Sequence, residues 1–181
     1  MEDKSALSGL KVLDFSHLLA GPFATQILGD YGATIYKIER AEVGDDYRRW
    51  HFFNKKVGGT QAATFLSWNR NKRSLAIDMK STKGKDILYK MVKDCDVVTQ
   101  NFRPGVMNKL GFGFEDLKKI NPKIIYCNGS GYGRTGPYAK RPGQDILIQG
   151  MSGLTYNTGR ADGPPVTVGA GMADQLGSYN M

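Results

Sequence analysis

The chain has 181 residues, is 40% hydrophobic and carries a formal net charge of +8 at pH 7, enough length to bury one sizeable core. No run of 18 apolar residues occurs, which argues against a membrane-spanning helix, and the charged opening MEDKSALSGLK lacks the apolar stretch of a secretory signal. Cys95 and Cys127 form no metal or redox motif, so the composition points to a reducing compartment, the cytoplasm, and to no metal.

In chain order, KVLDFS (11–16) reads as a buried strand. PFATQILGDYG (22–32) follows as a helix, with Pro22 in its first turn and Gly32 as its stop. ATIYKIER (33–40) and SLAIDM (74–79) are the next strands, and a lysine-rich helix over 82–94 is capped by Ser81 or Thr82. DVVTQNF (96–102) is a fourth strand. Two short helical pieces, 105–110 and 114–120, lead through Asn121-Pro122 to the strand KIIYCNGS (123–130). A helix is expected over 145–152 and another starts near Asp174. The closing DQLGSYNM has neither cap nor stop signal, so the chain reads as part of a longer protein. Strand and helix in alternation imply parallel pairing, hence an open α/β sheet with helices on both faces. Ligands of such sheets sit beyond the carboxyl ends of the strands. There the sequence places His17–Pro22, Arg40, Asn101–Gly105 and Gly129–Gly133.

Taken singly, the candidate motifs are ambiguous. The net charge suits nucleic acid, an anionic membrane face or a phosphorylated ligand, and equally suits a mildly basic protein with no such partner. The first β-α-β unit is laid out like a dinucleotide-binding half, with Glu39 near the end of its second strand. Its turn reads HLLAGP, however, and lacks the glycines that bring backbone against pyrophosphate. NRNKR (69–73) either holds phosphates or is a solvated loop. NFRPG (101–105) offers an aromatic ring, an amide and a guanidinium that suit a nucleotide, or is an ordinary turn. His17, a lone histidine at a strand end, is more readily a hydrogen-bonding structural residue than a catalyst. Asp174, after Gly169 and Gly171, is either an N-cap or a reactive carboxylate.

Read together, LSGLKVLDFSHLLAGPFATQILGDYGATIYKIER, NRNKRSLAIDMK, NFRPGVMNKLGFGFEDL, NPKIIYCNGSGYGRTGP and DGPPVTVGAGMADQLG resemble, in order, the motifs of the class III CoA-transferases (the CaiB/BaiF family), from about Leu7 to the last residue. The resemblance implies a Rossmann-like N-terminal domain, here 1–181, of a protein about twice as long whose subunits form an interlocked homodimer. It implies that Asp174 forms an acyl anhydride. It implies CoA contacts from His17, Leu19 and Ala20; from Arg40; from Ile77, Asp78, Met79 and Lys80; from Asn101, Phe102 and Arg103; and from Arg141, Pro142, Gly143 and Gln144. Lys109 stands where relatives have arginine. Acyl-CoA and a small carboxylic acid are then the substrates, with no permanently bound cofactor, and the basic residues answer the phosphates of CoA. A further glycine-rich loop is expected downstream, so the chain on its own is expected to be inactive.

Two rival readings differ in chemistry. The α-methylacyl-CoA racemases, which share the fold, use a histidine–aspartate acid–base pair with the histidine in a G-H-D motif. This chain has Gly143-Gln144-Asp145, and glutamine cannot shuttle a proton at neutral pH. A non-catalytic nucleic-acid-binding module would need aromatics interleaved with cations on one face, whereas here the cations fall in separate turns.

Overall fold

The computed structural model describes residues 5–50, 56–58 and 61–181. Five strands form one parallel sheet: β1 (Lys11–Asp14), β2 (Thr34–Glu39), β5 (Lys72–Ala76), β6 (Val97–Gln100) and β7 (Ile125–Asn128), in the order β5-β2-β1-β6-β7. The chain runs outward from β1 to β2 and β5, then returns to place β6 on the other side of β1. The β1/β6 junction is therefore the topological switch point, where open α/β sheets bind ligands.

Alternation along each strand divides the core. Leu13, Ile38 and Val98 face one side and pack with Leu88, Val92, Phe112 and Leu117 beneath α3 (Thr82–Asp94), α4 (Val106–Leu110) and α5 (Phe114–Ile120). Val12, Ile35 and Val97 face the other side with Leu28 of α1 (Ala20–Asp30). Burial on both faces explains why β1 and β6 read as apolar runs. Truncating Leu88 or Leu117, each 0% exposed, would cost about 2–5 kcal/mol. α3 buries Gly84, Leu88 and Val92, one helical face, and Ser81 is its cap, accepting the Gly84 N–H at 3.1 Å.

The expected elements are present with shifted ends. α1 begins at Ala20 rather than 22, and α7 spans Met172–Tyr179 beside α6 (Asp145–Met151). The third strand of the sheet runs 72–76, not 74–79. Four elements had no counterpart in the sequence reading: the 3-10 turns Asp46–Arg48 and Leu154–Asn157, the hairpin β3 (Lys56–Val57) with β4 (Gln61–Ala62), and α2 (Ala63–Asn69). Among the described residues no helix is long and apolar enough to cross a membrane.

Candidate active site

Buried charges shape the carboxyl edge of the sheet. Asp14, at the end of β1, accepts from Thr25 Oγ1 at 2.6 Å and from the Ser16 hydroxyl, and lies 3.2 Å from Lys72 Nζ. Burial alone would raise its pKa; Lys72, Lys37 and the two hydroxyls outweigh that and hold it low. Burial pushes Lys72 down to about 8. Lys37 Nζ donates to the Ser16 carbonyl at 2.9 Å and pairs with Asp45 at 2.9 Å, both side chains being 1% exposed or less. Glu39 takes a two-pronged bond from Arg48 and further bonds from Ser74 Oγ and the Asp45 N–H, which overcome its burial and hold its pKa at about 2.

These pairs bear on two motifs that the sequence left open or disfavoured as nucleotide contacts. Glu39, in the position of a ribose-binding acid, is engaged internally. In NRNKR, Lys72 is buried against Asp14 and Arg70 pairs with Asp30 at 2.6 Å, so this run is not a free phosphate cradle.

This network of buried charges fixes the turn after β1. Leu18 has φ of 67°, an uncommon conformation for a residue with a side chain, and its N–H points to both carboxylate oxygens of Asp45 at 3.3 Å. Across the switch point the Asn101 side chain accepts the His17 N–H at 2.9 Å and donates to the His17 carbonyl at 2.8 Å. This pair of hydrogen bonds across the junction holds the turns after β1 and β6 together. The His17 ring meets the Phe102 ring edge-on at 5.4 Å. Burial, then Lys37, lowers the pKa of His17, so it is neutral at pH 7.

Beyond these turns opens a cavity of about 560 Å³. Of the residues marked in the sequence, it brings together Ala20, Asn101, Phe102, Arg103, Arg141, Pro142, Gly143, Gln144 and Asp174. Leu18, Asn128 and Ser130 also line it; Leu18 and Ser130 fall in the turns 17–22 and 129–133 placed at the strand ends, although neither was named as a CoA contact. Two loops form the far wall by touching through glycines: a Cβ on Gly131 would lie 2.5 Å from the Gly143 Cα. Any side chain at either position would push Gln144 and Arg141 away from Asn128.

The other marked residues lie elsewhere. Leu19 is buried with Tyr47, Ala62 and Phe65 and packs on Gly171, and Ile77 belongs to the core. Neither offers a surface to a ligand; both are apolar side chains that the fold needs inside. Arg40 is exposed and bonded to Asp46 at 2.6 Å. Asp78 closes the turn before α3, accepting the Lys80 N–H at 2.9 Å, while Met79 packs against the core and Lys80 is exposed. Lys109 is exposed on α4. Residues 77–80 follow β5, three strand spacings from β6, about 14 Å. Among the described residues no group of three or more His, Cys, Asp or Glu could hold a metal ion.

Asp174 lies in the first turn of α7 on the cavity wall. The helix is tied to α1 by Ser178 Oγ, which donates to the Ala20 carbonyl at 2.7 Å. Burial first, and Asp145 second, push the Asp174 pKa up to about 6.

The model of CoA-transferase family III matches residues 7–181. The chain belongs to this family. It is 44% identical over 174 residues to a succinyl-CoA:glutarate CoA-transferase of Homo sapiens, covering 96% of this chain and 39% of that protein. It is also 44% identical over 179 residues to an acetyl-CoA:oxalate CoA-transferase of Acetobacter aceti, covering 98% and 45%. The crystal structure of a CAIB/BAIF family protein from Brucella suis superposes with a TM-score of 0.91 at 42% identity, covering 98% of this chain and 47% of that one. The chain thus spans less than half the length of these relatives.

In this family III chain the raised pKa of Asp174 has a consequence for stability. The folded value, about 6, lies above the ordinary carboxylate range, so the native state binds the proton more tightly. The contribution of Asp174 to stability is full below about pH 4 and is lost as pH rises through 6. Asp174→Asn removes that loss. Because the cavity is open to solvent, the gain is trimmed to about 1 kcal/mol, or about 2–4 °C in melting temperature. Thermal melts should show it at pH 8 and not at pH 4.

Proposed function

We propose that the protein transfers coenzyme A from an acyl-CoA to a free carboxylic acid, with Asp174 as the nucleophile. One observation carries this: Asp174 lies half-buried on the wall of the switch-point cavity, its carboxylate bonded to no other described residue. Its pKa near 6 leaves it roughly nine-tenths ionised at pH 7 while making it a stronger base than a solvated carboxylate. The family and the activities named for its relatives support the same chemistry.

A carboxylate oxygen of Asp174 attacks the thioester carbonyl carbon, and the C–S bond breaks to release CoA thiolate and leave an aspartyl-acyl anhydride. The thiolate attacks the aspartyl carbonyl, giving an aspartyl-CoA thioester and the first acid as its carboxylate. The acceptor carboxylate then attacks that thioester, and the thiolate takes the new acyl group, restoring Asp174. No proton is gained or lost over the cycle. The tetrahedral oxyanions call for N–H donors; those of Gly131 and Gly143, unused by other described residues, lie on the wall. The cavity volume suits the thioester end of CoA and a small acid. The nucleotide end extends toward Arg40 and Lys80 on the β5 side, with Lys109 and Arg103 as further cations. In the whole protein this domain works within an interlocked homodimer.

Gln144 lines the cavity with Asp174 and cannot relay a proton, which favours transfer over racemisation. The test uses the intact protein: incubation with acyl-CoAs, trapping with hydroxylamine, and peptide mass spectrometry. The expected product is a hydroxamate on Asp174. A hydroxamate at another residue, or rapid exchange of the acyl α-proton with solvent deuterium, would refute the proposal.

A further inference from the structure

The helix that carries Asp174 lacks a capping side chain of its own, because its N-cap position is Gly171. The orphan N–H groups of its first turn are met from α6 instead. Asp145 Oδ1 accepts from the Ala173 N–H at 2.7 Å and from the Asp174 N–H at 3.2 Å. Asp145 Oδ2 accepts from Gln149 Nε2 at 2.6 Å. Gln149, one helical turn on and 1% exposed, also donates to the Ala170 carbonyl at 3.1 Å and accepts the Val168 N–H at 2.9 Å. Two side chains spaced i, i+4 on one helix thus grip the 168–174 segment through its backbone at four points.

We propose that Asp145, braced by Gln149, is the positioning residue of the reaction, holding the backbone of Asp174 so that its carboxylate stays on the cavity wall. This rests on Asp174 being the nucleophile. Several observations favour more than a structural cap. A neutral acceptor would satisfy the N–H groups of Ala173 and Asp174 as well, yet the residue is a second carboxylate beside the reactive one. Asp145 sits at position 145, adjacent in sequence to Gln144 on the cavity wall, so the same turn shapes the cavity and grips the nucleophile. Its charge favours the N-terminus of α7 and opposes ionisation of Asp174.

The other groups near Asp174 do not duplicate this role. The 3-10 turn contributes Tyr47, whose hydroxyl is pushed up to about 12 by burial and then by Asp174, so it stays protonated. α1 carries one ionisable residue, Asp30, at its far end and paired with Arg70. Arg103 and Arg141 line the same cavity and are exposed.

Asp145→Ala and Asp145→Asn in the intact protein separate position from charge. In Asp145→Ala the grip is lost, and kcat should fall about 10²-fold, the scale of a 1 Å misplacement, with KM for acyl-CoA within about threefold. Asp145→Asn keeps an oxygen for the two N–H groups and gives up the bond from Gln149, so kcat should stay within about tenfold. The acid limb of its pH–rate profile should move about one unit lower, because a like charge has gone. An alanine variant within threefold of the parent, or an asparagine variant with an unmoved acid limb, overturns the inference. Should the alanine variant fail to fold, the acid limb of the asparagine variant decides alone. Hydroxylamine trapping runs alongside. No hydroxamate on Asp174 in the parent enzyme defeats the nucleophile itself. A trapped Asp174 with both variants behaving as the parent defeats only the role of Asp145.

Discussion

Asp174→Ala in the intact protein should lower CoA transfer by at least about 10³-fold, equivalent to about 4 kcal/mol of barrier, without loss of folded protein. The loss follows from covalent catalysis: with no carboxylate oxygen to take the acyl group, neither the anhydride nor the aspartyl thioester can form. Folding should survive because the Asp174 side chain bonds to no other described residue, while α7 is held by Ser178, Asp145 and its packing on α1. Affinity for free CoA should change little, since the cations around the sheet edge are untouched. Asp174→Glu offers a finer test. It keeps the charge but moves the oxygens by one methylene, and should cost about 10²-fold. Transfer rates from an acyl-CoA to a free acid, beside calorimetric CoA binding, check both. Undiminished turnover in the alanine variant would remove the mechanism.

Lys37→Met should destabilise the fold by about 3–5 kcal/mol, the usual cost of removing one partner of a buried ion pair. Lys37 and Asp45 lie 2.9 Å apart with side chains 1% and 0% exposed. Without the ammonium, Asp45 keeps, among the described residues, the N–H groups of Leu18 and Tyr47, and His17 at 3.7 Å, against its desolvation. A chain of this size should melt about 6–20 °C lower. Activity should suffer as well, because Asp45 also holds Leu18 in its left-handed conformation on the cavity wall. Adding Asp45→Asn should recover part of the stability, since a neutral amide is cheaper to bury than an unpaired carboxylate. Urea unfolding of the two single variants and the double variant measures the coupling. A loss under 1 kcal/mol would show that the pair does not hold the turn.

The sheet was legible because four of its five strands hold short clusters of β-branched or aromatic residues, and the periodic burial of α3 left its own mark. β5 was misplaced by two residues for a physical reason. Its Lys72 and Ser74 side chains meet Asp14 and Glu39, and no residue of this edge strand is fully buried, so it has the composition of a solvated loop. The 3-10 turn at 46–48 was missed for a related cause: Asp45, its cap, is defined by a partner on β2 that hydropathy does not reveal. Part of the cavity lining was marked in the sequence, among it Asn101, Phe102 and Arg103, because they come from the turn at the carboxyl end of a strand. What the sequence hid was direction. Leu19 and Ile77 sit in the right turns but face the core, and Leu18 faces the cavity only through a backbone twist imposed by Asp45. The grip of Asp145 and Gln149 was hidden too, since it bridges segments some twenty-five residues apart with no local pattern.

The interior ion pairs also constrain how such a chain can diverge over generations. Changing Lys37 alone strands an anion, changing Asp45 alone strands a cation, and either intermediate is penalised before a second substitution can relieve it. Positions 37 and 45 should therefore drift together or not at all across descendants, and the same holds for 14 with 72. Neighbouring exposed sites such as Arg40 and Asp46 remain free to vary one at a time.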